Sequence, residues 1–175
     1  MPESTADALA AIARCEPLPI AGWIDLQADA AVLAALNAAL NLELPLTPNR
    51  VVVRGELAAC WIGPLHWLLR VALGDAATLV DRLLRAAEID HAIATLMSDA
   101  FAGFRLAGPH AASVLAQGCP LDPDALMLGT CARSLLARAE VLLLPIGPPA
   151  AYEIWVERSH ADYLRRWIAA AIEHE

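Results

Sequence analysis

The chain has 175 residues, a net charge of −8 and only 18% charged residues against 58% in the apolar class. This length sets one domain as the default, and the acidic balance without a basic stripe excludes a nucleic-acid binder. No run of about 18 uncharged residues reads as a membrane span; the best candidate, "AAVLAALNAALNLELPL", is broken by Asn37, Asn41 and Glu43.

Five tryptophans stand beside only two phenylalanines and two tyrosines. Aromatic residues beyond the needs of a small core point to an interface, with an ordinary alanine-rich core as the rival reading. The opening "MPESTADALAAIAR" carries acids and a single arginine, so it reads as neither a signal nor a transit peptide. A cytoplasmic protein with reduced thiols is expected. Cys15, Cys60, Cys119 and Cys131 show no C-x-x-C spacing, which argues against a zinc site and a dithiol motif.

In chain order, residues 1–16 read as a loosely docked lead-in, and 17–175 as one domain with two pseudo-repeated halves. "GWIDLQ" (22–27) predicts a short strand. Asp29 is placed to cap a helix through about Leu40, with Leu33, Leu36 and Leu40 on one face. "LPLTPNR" is a proline-punctuated loop. "RVVVRGELAACWI" leads into a turn at "GPLH", and "WLLRVAL" leads out, with Trp67, Leu69, Val71 and Leu73 on one side at period two. Asp75 is placed to cap the next helix. Its stripe is Ala76, Leu79, Val80, Leu83, Leu84 and Ala87, with Asp81, Arg82 and Arg85 outside it.

"IATLMSDAFAGFRLAG" predicts one or two strands with a central bend, and a helix follows. "CPLDPDALMLGT" is a loop, "ARSLLARAEVLLLP" a strand and "AAYEIWVER" the next. A last helix starts at Ser159, where Ser159 and Asp162 have capping-box spacing; Leu164, Trp167, Ile168, Ala171 and Ile172 form its buried stripe. The order strand, turn, strand, helix thus occurs twice, over 51–87 and 132–173. The class is α+β, with antiparallel strands covered by helices.

The residues that invite a chemical reading are few. His110 and Cys119 lie close in sequence, but at about 1.5 Å rise per residue a helix between them holds them roughly 13 Å apart. Helix signals explain the segment instead: Pro109 at the first helical position and Gly118 in a left-handed position past the end. Asp90-His91 reads as a solvated junction and Ser98-Asp99 as a bend held by local side-chain bonds. Arg158-Ser159-His160 reads as a cap, with an anion site as its rival. Glu173-His174-Glu175 reads as an inert terminus. Trp61 and Trp67 flank the "GPLH" turn, either as core or as an aromatic patch for a partner. No carboxylate pair, nucleophile elbow or phosphate loop occurs.

The ordered set "CEPLP-x-x-GWIDLQ", "L-x-L-P-x-x-PNR", "WIGPLHWLL", "MSDAFAGFRLAGPHAASVLAQGCPLD", "LGTCARSLLARAEVLLLP" and "VERSHADYLRRWI" resembles the gamma subunit of heterotetrameric sarcosine oxidase, from Cys15 to about Ile168. The resemblance implies a duplicated, strand-swapped α+β fold like the folate-binding domain of aminomethyltransferases. It also implies a non-catalytic subunit of a flavin amine oxidase acting on sarcosine in the cytoplasm. FAD, FMN, NAD, folate and zinc are then expected on alpha, beta and delta partners, and no catalytic, cofactor or metal residue on this chain. Trp61 and Trp67 become the candidate interface. Rival readings are the equivalent subunit of an N-methylglutamate dehydrogenase-type complex, a stand-alone folate-binding methylene-transfer protein, and a homo-oligomeric scaffold of the same fold.

Overall fold

The computed structural model describes residues 13–88, 91–147 and 150–175. The chain divides into two compact units. One is Ile20–Ala100; the other takes the chain up to Pro19, which holds strand β1 (Arg14–Pro17), and again from Phe101 to Glu175.

In the Ile20–Ala100 unit, strand β2 is Gly22–Ala28, and helix α1 is Leu33–Leu40 after a 3-10 turn at Ala30–Val32. Three strands follow in succession: β3 (Val51–Arg54), β4 (Leu57–Gly63) and β5 (His66–Val71). Helix α2 (Ala76–Ala86) and strand β6 (Ala92–Leu96) complete the unit. The sheet order is β3-β4-β5-β2-β6, with every neighbouring pair antiparallel. One apolar cluster fills the space between this sheet and its helices: Ile24, Leu26, Leu36, Trp67, Leu69, Leu79 and Leu83, all at most 4% exposed. Burying each such aliphatic side chain stabilises the fold by about 1.5–3 kcal/mol.

The other unit repeats this plan. Strand β7 (Phe101–Ala107) leads to the short helix α3 (Ala111–Ala116), then to β8 (Ala132–Leu136), β9 (Ala139–Gly147), β10 (Ala151–Glu157) and helix α4 (Ala161–Glu173). Its sheet order is β8-β9-β10-β7-β1, again antiparallel throughout. Position for position the two sheets match, except at the last strand. In the first unit that strand, β6, follows the unit's own second helix. In the other it is β1, taken from the start of the chain. The fold is therefore duplicated and strand-swapped. Leu106, Val114, Leu115, Leu136, Leu143, Ile154, Leu164 and Ile168, all 0% exposed, form the second core.

Several local expectations are corrected. Residues 13–17 are not loose: Arg14–Pro17 pairs with β7 in full register, while residues 1–12 lie outside the described residues. "RVVVRGELAACWI" is two strands turned at Gly55, whose φ is 58°, and "ARSLLARAEVLLLP" is two strands turned at Ala137-Arg138. Both Ala137 and Arg138 have positive φ, the geometry of a tight hairpin turn that normally selects Asn-Gly. The period-two reading of β5 holds for Trp67, Leu69 and Val71, but Leu68 is buried as well and Leu73 lies past the strand, half exposed.

The helix ends differ too. Asp29 and Asp75 occupy cap positions without a side-chain cap bond, and Ser159 is displaced by a 3-10 turn at Arg158–His160. Pro109 precedes the cap residue His110 rather than opening the helix. Gly118 does not have positive φ. It is required because a Cβ there would meet the Trp167 ring at 2.6 Å.

Candidate functional site

Trp67 is fully buried, and its indole N–H donates to the Pro45 carbonyl at 2.7 Å. That fixes the proline-rich loop 44–50 to the sheet and makes Trp67 a core residue, correcting its expected place on an aromatic surface. Trp61, its cross-strand partner, is half-buried against the same core. Of the two candidate interface residues only Trp61 keeps accessible surface.

The suspected chemical groups are parcelled into separate local pairs. His110 Nδ1 lies 3.3 Å from Glu175 Oε1, and Gln117 donates to Glu175 Oε2 at 3.0 Å and to the Ala171 carbonyl at 3.2 Å. The terminus read as inert is thus tied back across α3. The hydrogen bond from His110, with help from Ser113 and Gln117, holds the Glu175 carboxyl below its ordinary range. Cys119 instead faces Ser134, Sγ to Oγ at 3.6 Å. The sequence pair of His110 and Cys119 is not assembled into a nucleophile and base.

His91 Nδ1 pairs with Asp29 at 2.9 Å, so Asp29 serves the start of β6 rather than a helix cap; Asp90 lies outside the described residues. Ser98 is buried and its hydroxyl accepts from the Trp23 backbone N–H at 3.2 Å, a link across 75 residues rather than the local bond expected. Arg158 donates to the Phe101 carbonyl at 3.3 Å, and Ser159 Oγ lies 3.3 Å from His160 Nδ1. Both Arg158 and Ser159 thus have hydrogen-bond partners within the chain.

One pair went unnoticed in the sequence. Asp25 on β2 and His66 on β5 meet at 2.8 Å, both side chains about a quarter exposed. They are 41 residues apart, and only antiparallel pairing of β2 with β5 joins them. A carboxylate and an imidazole in contact can hold or pass a proton.

Two open depressions lie on the units. In the Ile20–Ala100 unit a space of about 520 Å³ is bounded by Leu40, Leu57, Val71 and Leu79, with Arg54, Glu56, Asp75 and Arg82 around it. Arg54 there donates to the Asn41 carbonyl. In the other unit a space of about 420 Å³ has Pro123, Leu126, Leu128, Pro145 and Tyr152 on its walls. Tyr152 donates to the Pro123 carbonyl at 3.3 Å; burial first, then Asp124 and Asp122, push its phenol above the ordinary range. Burial likewise pushes the Cys15 thiol up to about 11. Among the described residues, no three His, Cys, Asp or Glu side chains are grouped to hold a metal ion. Among them, too, no helix is long and apolar enough to cross a membrane.

A duplicated, strand-swapped α+β arrangement of two sheets puts the chain in the aminomethyltransferase-like fold class. The glycine cleavage system aminomethyltransferase T of Bartonella henselae has this fold, with a TM-score of 0.65 at 18% identity over 90% of this chain and 45% of that one. The regulatory subunit of aspartate kinase from Thermus thermophilus shares it more distantly, at TM-score 0.51 and 12% identity over 90% and 97%. Within the class the match narrows. A chain of the heterotetrameric sarcosine oxidase from Corynebacterium sp. U-96 superposes with TM-score 0.84 at 25% identity, over 97% of this chain and 91% of that one. The sarcosine oxidase gamma subunit family matches residues 25–174, and the chain belongs to it. No curated protein matches by sequence.

Proposed function

We propose that this chain is the gamma-type subunit of a flavin-dependent sarcosine oxidase and serves the assembly of the complex rather than its chemistry. The carrying observation is the family match over 25–174, together with near end-to-end likeness to a chain from a heterotetrameric sarcosine oxidase. The surface agrees with a subunit. Ile20, Leu46, Val53, Ile93, Met127 and Leu128 are each at least 55% exposed. Met127 and Leu128 adjoin in sequence, and neighbouring apolar side chains left in water suit a surface that meets other chains.

In this reading alpha, beta and delta subunits carry the FAD, FMN, NAD, folate and zinc, and the complex works in the cytoplasm. The gamma chain holds none of these groups and supplies packing surface. The test is to recover a tagged chain from its native host and record the absorbance of the eluate. A flavin spectrum, bleached by sarcosine and accompanied by three further chains, is the expected result. A colourless, solitary protein overturns the proposal; a titration with tetrahydrofolate then tests the folate-binding reading.

A further inference from the structure

Among the described residues each sheet has two edges, and an edge leaves a row of backbone donors and acceptors unpaired. The register shows which residues these are. Along β6, the bonds from the Asp29 N–H to the His91 carbonyl and from the Met97 N–H to the Trp23 carbonyl fix the bonded pairs at odd positions of the strand. Ile93 and Thr95 therefore spend their backbone groups on β2. Ala92, Ala94 and Leu96 turn theirs outward, three donors and three acceptors in a row.

The other three edges are shorter in open groups or guarded. On β1 the outward residues are Cys15 and Pro17; proline has no N–H to offer, and Arg14 and Glu16 form an ion pair at 3.6 Å along the strand. On β8 the outward residues are Arg133 and Leu135, with Arg133 paired to Glu140 at 3.8 Å. On β3 only Val51 and Val53 turn outward, and the strand closes on Arg54. β6 alone of the four has neither a charged side chain nor a proline. Its side chains are nonetheless open: Ile93 is 62% and Leu96 50% exposed. Helix α2 packs over β6 and leaves Val80 and Leu84 half-buried beside it.

We propose that the free edge of β6 receives an extended, uncharged segment of a partner subunit, which adds as a sixth strand to the sheet of the Ile20–Ala100 unit. This rests on the subunit reading above. Charge selects the occupant: on the face shared with Leu96 and α2, a charged side chain of the added strand would give up its hydration and meet no counter-charge on β6. Ala92, Ala94 and Leu96 bond its backbone, as in other cases of strand addition. Apolar side chains on one of its faces cover Leu96 and the flank of α2.

The test is amide hydrogen exchange on the purified flavoprotein complex, compared with the free chain. The amides of Ala92, Ala94 and Leu96 are expected to slow by about tenfold or more in the complex. Those of Ile93 and Thr95, already bonded to β2, serve as the internal standard. Unchanged exchange at the three outward amides overturns the edge proposal and leaves the subunit reading standing. Failure to recover any flavoprotein removes both. Two variants give a second reading. Ala94→Pro deletes an outward donor, and Leu96→Lys places a charge on the half-exposed position that the added strand covers; each should abolish recovery of the flavin subunits, whereas Leu135→Lys on β8 should not. If Ala94→Pro fails to fold, Leu96→Lys decides, and full recovery of the flavin subunits by that variant overturns the edge proposal. Loss of a homodimer, rather than of flavin subunits, in Leu96→Lys would assign the edge to a second copy and overturn the proposal as stated.

Discussion

Trp67 and Gly118 show how a single residue acquires its meaning from a neighbour distant in sequence. Trp67 is fully buried and holds Pro45 by its indole N–H. Trp67→Ala should cost about 3–5 kcal/mol in a denaturant melt, with partner recovery lost only in proportion to unfolding. At Gly118 the obstacle is contact, not backbone angle: Gly118→Ala drives a Cβ into Trp167 and should cost about 1–3 kcal/mol, with a changed indole fluorescence. Glu175 gives a prediction in pH. Its folded carboxyl is held low chiefly by the His110 hydrogen bond, so its contribution is full above the unfolded value and disappears as pH falls through the folded one. Glu175→Gln should flatten the acid limb of stability against pH and leave the neutral region nearly unchanged. The raised Cys15 thiol, pushed up to about 11 by burial, should alkylate far more slowly at about pH 8 than a free thiol in mass-spectrometric labelling.

At the scale of elements, the hairpins matter most. The turn Ala137-Arg138 places two side chains at positive φ, 50° and 71°. The left-handed region costs an ordinary residue about 1 kcal/mol. Ala137→Asn with Arg138→Gly should therefore raise stability by about 1 kcal/mol in thermal melts, and the Ala137 carbonyl, which accepts from Tyr163 at 2.7 Å, is retained. This turn was not legible in the sequence because its residues carry no turn signature; "ARSLLARAEVLLLP" runs on as one apolar segment. The helix stripes were legible because burial on one helical face imposes a period of about 3.6 residues, and Ala76, Leu79 and Leu83 lie buried as that period requires. The Asp29 cap and the local bond expected of Ser98 were not, since Asp29 found His91 and Ser98 found the Trp23 amide, partners 62 and 75 residues away.

For the whole molecule, the swapped strand β1 ties the start of the chain into the sheet completed by its end. The Leu18 N–H bonds the Gly103 carbonyl, so the bonded pairs along β7 are Gly103, Arg105 and Ala107. Removing residues 1–19 should expose the Arg105 and Ala107 amides to fast exchange while Ile20–Ala100 keeps its protection. The exposed apolar positions carry the expectation that the isolated chain self-associates; light scattering should show it, and co-expression with partner chains should suppress it.

The α+β class, both amphipathic long helices and the twofold repetition could be read from the sequence, because they arise from local periodicity that burial imposes along a continuous segment. Family membership was legible in the order and spacing of its motifs. The tertiary structure alone decided that Trp67 is core, that Asp25 meets His66, and that β6 is the unguarded edge. Each of these depends on strand register, which joins residues tens of positions apart and leaves no periodic trace in either segment taken by itself.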